Sequence, residues 1–330
     1  MRSVIVVPIL ALACTGGAGG GQAGAASVPT VKATSYPVWY AAKRIGAPRM
    51  KPEIVLPAGE DAATWQPSGD VVASLGEADL ILINGAGFEG WVRTATLPTA
   101  KVVDSAKGVD LVEIEGPTHS HGKAGEHSHT GVDPHIWADP ERFLQQARNV
   151  HDALVKADPA GQMVYDGQLG AVERNATDLV AELDPVLAQL KERSVVANHP
   201  TFTYWGKRGG FDIPVVDMDP AVMIPEETLA KLRETYPAGT LILWESRPKV
   251  LDMDFEQDPL PGFVHVVLDP LEGPAADGQY DYFAQSRLNV ANLKQALARP
   301  IPEADTDAPT EATPAEATPD GASGEAAGGE

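Results

Sequence analysis

The chain of 330 residues has a single cysteine, so it cannot form an internal disulfide, and its stability has to come from a hydrophobic core. Its N-terminal apolar run, Val4 to Ala13, falls far short of the roughly 20 residues that cross a bilayer. Positive charge is scarce. Lys and Arg number 25 against 46 Asp and Glu, for a net charge of −21. Such a chain repels nucleic-acid phosphates, so no nucleic-acid partner is expected, and cationic ligands are favoured. Residues 301–330 hold no Lys or Arg and no apolar periodicity, and their Pro, Ala, Thr, Gly and acid predict a disordered acidic tail over 300–330. Setting aside the tail's eight acids still leaves −13 of the −21, so the acidity is general rather than terminal. No short internal repeat is found.

What the N-terminus does contain is one positive charge, Arg2, then the apolar run, then Cys14. That order reads as a signal peptide over 1–13. The residues Ala11-Leu12-Ala13 before the cysteine resemble the lipobox of bacterial lipoproteins, which makes Cys14 a candidate lipid anchor. The alternative is an ordinary cleaved signal with an incidental cysteine. Residues 14–27, rich in Gly and Ala, have nothing to bury and read as a flexible tether. The expectation is an exported, membrane-anchored lipoprotein, periplasmic or at the cell surface.

From Val28 to Arg299 the chain is longer than one core usually grows, which favours two domains. Val31–Thr34, Glu53–Leu56, Leu80–Ile83 and Lys101–Asp104 are short β-type runs separated by helical stretches, the alternation of a parallel α/β sheet. Residues 140–157 predict a helix with Phe143, Ala147, Val150, Leu154 and Val155 on one stripe. A second helical stretch, about Pro159 to Lys191, places Val164, Leu169, Val172, Ala176, Leu179, Val180, Leu183, Val186, Leu187 and Leu190 at three- and four-residue steps. It would be roughly 45 Å long, with Pro185 expected to kink or end it near Asp184. Strand-like runs return at Ser194–Ala197, Ile213–Val216, Leu241–Trp244 and Val264–Leu268. The fold class is therefore α/β: two parallel-sheet lobes, 28–157 and 193–299, joined by a long rigid helix over 158–192.

Four histidines, His119, His121, His127 and His129, form two His-x-His pairs in the polar loop 118–130. Neutral imidazole is a favoured zinc ligand, and a mobile loop suits capture and release better than catalysis; the bland reading is a solvated insertion. His135 stands just before a helix, while His199 and Asp269 each follow a strand, where ligands collect in open α/β folds. His151, inside a helix, and His265, inside a β run, read as structural.

Taken in order, several segments carry a resemblance: Thr34–Gly46, Glu77–Glu89, Val103–Gly108, the His-rich loop, His135-Ile-Trp-Ala-Asp-Pro140, Asn198-His-Pro-Thr-Phe202 and Leu268-Asp-Pro-Leu271. Together they resemble the zinc- and manganese-binding lipoprotein receptors of metal ABC importers, the group with a rigid linking helix, over about Val31 to Leu297. The resemblance implies a metal cleft between the lobes holding Zn²⁺, with Mn²⁺ also compatible, through His135, His199 and Asp269. It implies delivery to a membrane permease, with the receptor acting as a monomer. Relatives carry a further histidine in a segment that here reads Gly59-Glu-Asp-Ala-Ala-Thr-Trp-Gln-Pro67, with Ala63 at the ligand position. Water, Glu60, Asp61 or an imidazole of the His-rich loop are the candidates to fill that place. The rival readings are a receptor-derived metal buffer, chaperone or adhesin that has lost tight cleft binding, and a zinc hydrolase with Glu245 as base, Arg247 being an obvious pairing partner for that carboxylate. Since imidazole must be neutral to bind, affinity is expected to fall as pH drops through about 6.5.

Overall fold

The computed structural model describes residues 28–114, 119–120, 126–127, 131–252, 260–273 and 280–300. The expected leader and tether with Cys14, His121 and His129 of the His-rich loop, and the acidic tail from 301 onward lie outside the described residues.

The β-branched runs of the first half form Val31–Ala33 (β1), Glu53–Ile54 (β2), Leu80–Ile83 (β3) and Val102–Asp104 (β4), with helices Tyr36–Gly46 (α1) after β1 and Gly69–Glu77 (α2) before β3. All pairings in this sheet are parallel, in the order β2-β1-β3-β4. Two antiparallel ribbons follow. Glu113–Ile114 (β5) pairs with Gly131–Val132 (β8), and between them His119–Ser120 (β6) pairs with Glu126–His127 (β7). The His-rich segment is thus not wholly a loop: His119 stands directly opposite His127 in a short ribbon.

The helix expected over 140–157 is Pro140–Ala157 (α3). Its start is fixed by Pro140, whose φ suits a first helical position, and by Asp139, whose carboxylate accepts the amides of Glu141 and Arg142 at 3.0 Å each. The linking helix is Gln162–Leu190 (α4), 29 residues, or roughly 43 Å at the standard rise. Pro185 lies within it without ending it. The position is exposed, so the Ala181 carbonyl deprived of its donor faces water rather than the core. Val164, expected on the buried stripe, is 38% exposed, and Tyr165 takes its place in the core.

The second lobe comprises Val195–Ala197 (β9), Thr203–Gly209 (α5), Glu226–Thr235 (α6), Leu241–Trp244 (β10), Val264–Val267 (β11) and Tyr282–Leu297 (α7). Its parallel sheet runs β11-β10-β9. The expected strand at Ile213–Val216 is reduced to one parallel bridge beside Ala197. Pro214 offers no donor there and contributes only its carbonyl, to Ala197 N at 2.8 Å.

One continuous core of buried side chains takes in β1, α1, α3, α4, α5, β10 and α7, so the lobes share packing through the helical layer instead of hanging on a linker. Polar clamps reinforce this. Arg208 on α5 reaches Asp139 at 2.6 Å, Glu141 at 2.6 Å and Asp184 on α4 at 3.2 Å. Asp139 is fully buried, so Arg208→Met should leave it only the longer pair with Arg142 at 3.4 Å besides its two amides and lower unfolding stability by about 2–3 kcal/mol, read by chemical denaturation. Among the described residues no helix is long and apolar enough to cross a membrane.

Candidate metal centre

The carboxyl edge of the second-lobe sheet delivers three of the candidate residues. His199 and Glu245 lie one or two positions beyond β9 and β10, and Asp269 two positions beyond β11, so a single sheet edge presents three polar side chains. His135 reaches the same place on segment 133–139 of the first lobe. That segment is gripped by the other lobe: Tyr204 donates to the Asp133 carbonyl at 2.7 Å, Trp205 to that of Ala138 at 2.8 Å, and Tyr282 to that of Trp137 at 2.6 Å.

From its own lobe, His135 is seated by the loop after β3. Gly85, Ala86 and Gly87 have φ of 82°, 53° and 79°, a left-handed run that two glycines make tolerable. Added bulk at Gly85 would strike the Asp104 carboxylate. The buried Glu89 accepts the amide of Asn84 at 2.7 Å and the hydroxyl of Thr34, and Asn84 donates to the Pro134 carbonyl at 3.0 Å. Phe88 then meets the His135 ring edge-on, centroids 6.0 Å apart. The motif Asn84–Glu89 thereby acts as a cradle for the first imidazole.

The His135 and His199 rings are buried and lie 5.0 Å apart at 86°. Nδ1 of His135 is 2.6 Å from Asp133 Oδ1, which also accepts the His135 amide at 2.9 Å. Nδ1 of His199 is 2.8 Å from Thr201 Oγ1 and 3.4 Å from Glu245 Oε2. Both Nδ1 atoms are thus engaged in orienting contacts, so Nε2 is the nitrogen through which either ring could bind a metal. Nε2 of His135 faces Glu272 Oε1 at 3.5 Å.

Burial disfavours charge throughout this cluster; neighbouring carboxylates add to that effect on Glu245 and reverse it on His135. On His135 burial opposes the cation, but Asp133 and Glu272 outweigh it and raise the ring to about 10. Glu245 is pushed up to about 8 by burial and by Glu272, with Asp61 adding to it and His135 opposing. Glu272 is raised by burial, against the pull of His135.

The sequence-derived candidates separate under this geometry. Asp269 is close enough for its charge to act on Glu272, yet its Oδ1 already accepts the Leu271 amide at 2.8 Å and the Tyr280 hydroxyl. The carboxylate facing Nε2 of His135 is Glu272, which nothing in the sequence singled out although it directly follows the segment Leu268-Asp-Pro-Leu271. Asp61 caps its own turn, accepting Ala63 N at 2.8 Å and Thr64 Oγ1 at 3.2 Å, and its charge acts on both Glu245 and Glu272. Glu60 is exposed, and Ala63 packs against the core. His151 binds Asp152 and Asp166 at 3.0 and 2.8 Å, while His265 accepts from Trp244 at 3.0 Å; both ties are structural. Arg247 donates to the Leu251 carbonyl at 2.8 Å. Among the described residues, no three His, Cys, Asp or Glu side chains already stand at metal-holding distances.

Comparison with known proteins agrees with this architecture. The family described as zinc-uptake complex component A, periplasmic, matches residues 31–296. The high-affinity zinc uptake system protein ZnuA of Bacillus subtilis is 26% identical over 216 residues, covering 62% of this chain and 66% of that protein. The zinc-binding lipoprotein AdcA of Streptococcus pneumoniae is 23% identical over 209 residues, 61% of this chain and 41% of that one. The chain thus spans just under two thirds of the first and less than half of the second. Among solved structures, the metal-dependent lipoprotein YcdH of B. subtilis superposes with a TM-score of 0.69 at 23% identity, over 81% of this chain and 98% of that one. The Zn(II)-bound ZnuA-like domain of S. pneumoniae AdcA also gives 0.69, at 21% identity, over 83% and 100%. With two parallel-sheet lobes on a shared helical layer and a match over nearly all of its described length, the chain belongs to the periplasmic zinc-uptake component A family.

Proposed function

We propose that this protein captures a divalent transition metal, zinc foremost, in the cleft between its lobes and delivers it to the membrane permease of an ABC importer. The observation that carries the reading is the pair of buried imidazoles at 5.0 Å, each with Nδ1 anchored and one with Nε2 facing a carboxylate. His135, His199 and Glu272 are the ligands, and Asp61 is the first-lobe donor that makes up for Ala63. Binding draws the Glu272 carboxylate and the two Nε2 atoms inward around the ion. Two imidazoles with carboxylates suit zinc and also admit manganese, and the relatives' names include both zinc- and manganese-binding lipoproteins.

The protein is held at the membrane through Cys14 and works as a monomer, with the His-rich segment as an auxiliary capture site. A metal buffer or adhesin without cleft binding is not favoured, because both imidazoles remain built into the cleft with their orienting partners. A hydrolase is not favoured either: the family is one of uptake components, and Glu245 is directed at His199 Nδ1. Titration calorimetry of metal-stripped protein at pH 7.5 tests the reading. Tight binding of one zinc should survive deletion of 118–130, while weaker sites disappear; loss of all binding on that deletion would move the site out of the cleft.

A further inference from the structure

The turn that carries Glu272 is held in place by contacts separate from the one Glu272 makes with His135. Leu271 has φ of 63°, left-handed backbone that a leucine adopts only under constraint. The constraint is visible: Asp269 Oδ1 accepts the Leu271 amide at 2.8 Å, an Asx-type closure two residues on. Asn289 of α7 fixes the root of the turn, accepting the Asp269 amide at 2.9 Å and donating to its carbonyl at 2.7 Å. Trp137 of the first lobe donates to the Pro270 carbonyl at 2.8 Å.

The remaining contact on Asp269 Oδ1 is the Tyr280 hydroxyl. Tyr280 is itself docked on α1: its ring meets Tyr36 edge-on at 4.9 Å, and Tyr36 donates to its carbonyl at 3.1 Å. Burial, then the Asp269 charge, holds the Tyr280 phenol protonated, so it acts as a donor only. A line of contact therefore runs from α1 through Tyr280 and Asp269 to the backbone one residue before Glu272.

We infer that Asp269 and Tyr280 are positioning residues for the metal ligand Glu272, holding its turn and coupling it to the first lobe, rather than ligands themselves. The inference rests on the proposed ligand set and adds a role that the set leaves unassigned. An asparagine at 269 keeps an oxygen able to accept from both Leu271 and Tyr280 while losing the charge a ligand would use, which separates positioning from ligation.

The test compares Asp269→Asn, Asp269→Ala, Tyr280→Phe and Glu272→Gln in the full chain. Zinc affinity is read by competition with a chromophoric chelator, ligand geometry by the visible spectrum of the Co²⁺-loaded protein, and folding by melting of the metal-free form. Asp269→Asn should keep parental affinity and spectrum. Asp269→Ala and Tyr280→Phe should each weaken zinc about 10-fold and shift the Co²⁺ bands toward those of Glu272→Gln, as loss of a ligand's support does. Parental affinity and spectrum in Tyr280→Phe, or Asp269→Asn as weak as Asp269→Ala, would overturn the inference while leaving the cleft reading standing. Parental affinity in Glu272→Gln would instead remove the ligand set, and the inference with it. If Asp269→Ala does not fold, the Asn and Phe variants still decide.

Discussion

His135→Ala should weaken zinc binding about a hundred- to a thousand-fold and at the same time destabilise the metal-free chain. The first effect follows from ligand count: structural zinc sites bind with about 10–16 kcal/mol in total, so one of four ligands carries about 2.5–4 kcal/mol, which is about two to three decades of affinity. The second follows from what the imidazole leaves behind. Asp133 is fully buried and pairs with His135 at 2.6 Å, and Glu272 faces its other nitrogen at 3.5 Å. Stranding such carboxylates costs about 3–5 kcal/mol when a partner is removed. Glu272→Gln provides the contrast, since it should lose affinity while keeping a polar group toward His135 and most of the stability. A His135→Ala variant that binds zinc like the parent would place the site elsewhere.

The pH dependence should lie higher than ordinary histidines would give. A ring at 6.5 would release its proton before neutrality, but His135 is raised to about 10, with burial opposed and outweighed by Asp133 and Glu272. Zinc at Nε2 must therefore displace a proton at pH 7, and the apparent affinity should climb by about one decade per pH unit toward pH 10. Glu245, pushed up to about 8, adds a second proton wherever the ion's charge ionises it. Calorimetry in buffers of different protonation enthalpy should count between one and two protons released per zinc at pH 7. Stability of the metal-free form runs the other way. Both groups have folded values above their unfolded ones, so the stability they contribute is complete at low pH and lost as pH rises, through about 8 for Glu245 and about 10 for His135. Melting curves from pH 6 to 9 should fall without zinc and rise with it.

Much of this was legible in the sequence because periodicity and punctuation agreed. Helix α3 covers the residues 140–157 that its apolar stripe predicted, and the two sheets follow the alternation of β-type runs with helical stretches. The family resemblance, drawn from ordered segments rather than any one motif, agrees with the match over residues 31–296. Local rules failed where tertiary context governed. Pro185 spared its helix because the lost hydrogen bond faces outward, and Ile213–Val216 kept only a bridge because Pro214 cannot continue a ladder. Within the site, His135 and His199 stood out as histidines at element ends. Glu272 did not, because its place depends on a left-handed Leu271 and on contacts from Asn289 and Tyr280 that lie 8 to 17 residues further along the chain. Asp133 was equally unmarked, since a carboxylate beside a proline reads as a turn until the imidazole it orients is seen next to it.

The most direct test is an anomalous-difference map at the zinc edge from crystals of the zinc-loaded protein. A peak about 2.0–2.2 Å from Nε2 of His135, Nε2 of His199 and a Glu272 oxygen is the predicted result, with Asp61 or water completing the shell. Zinc confined to the His-rich segment, with nothing bound between His135 and His199, would contradict the account.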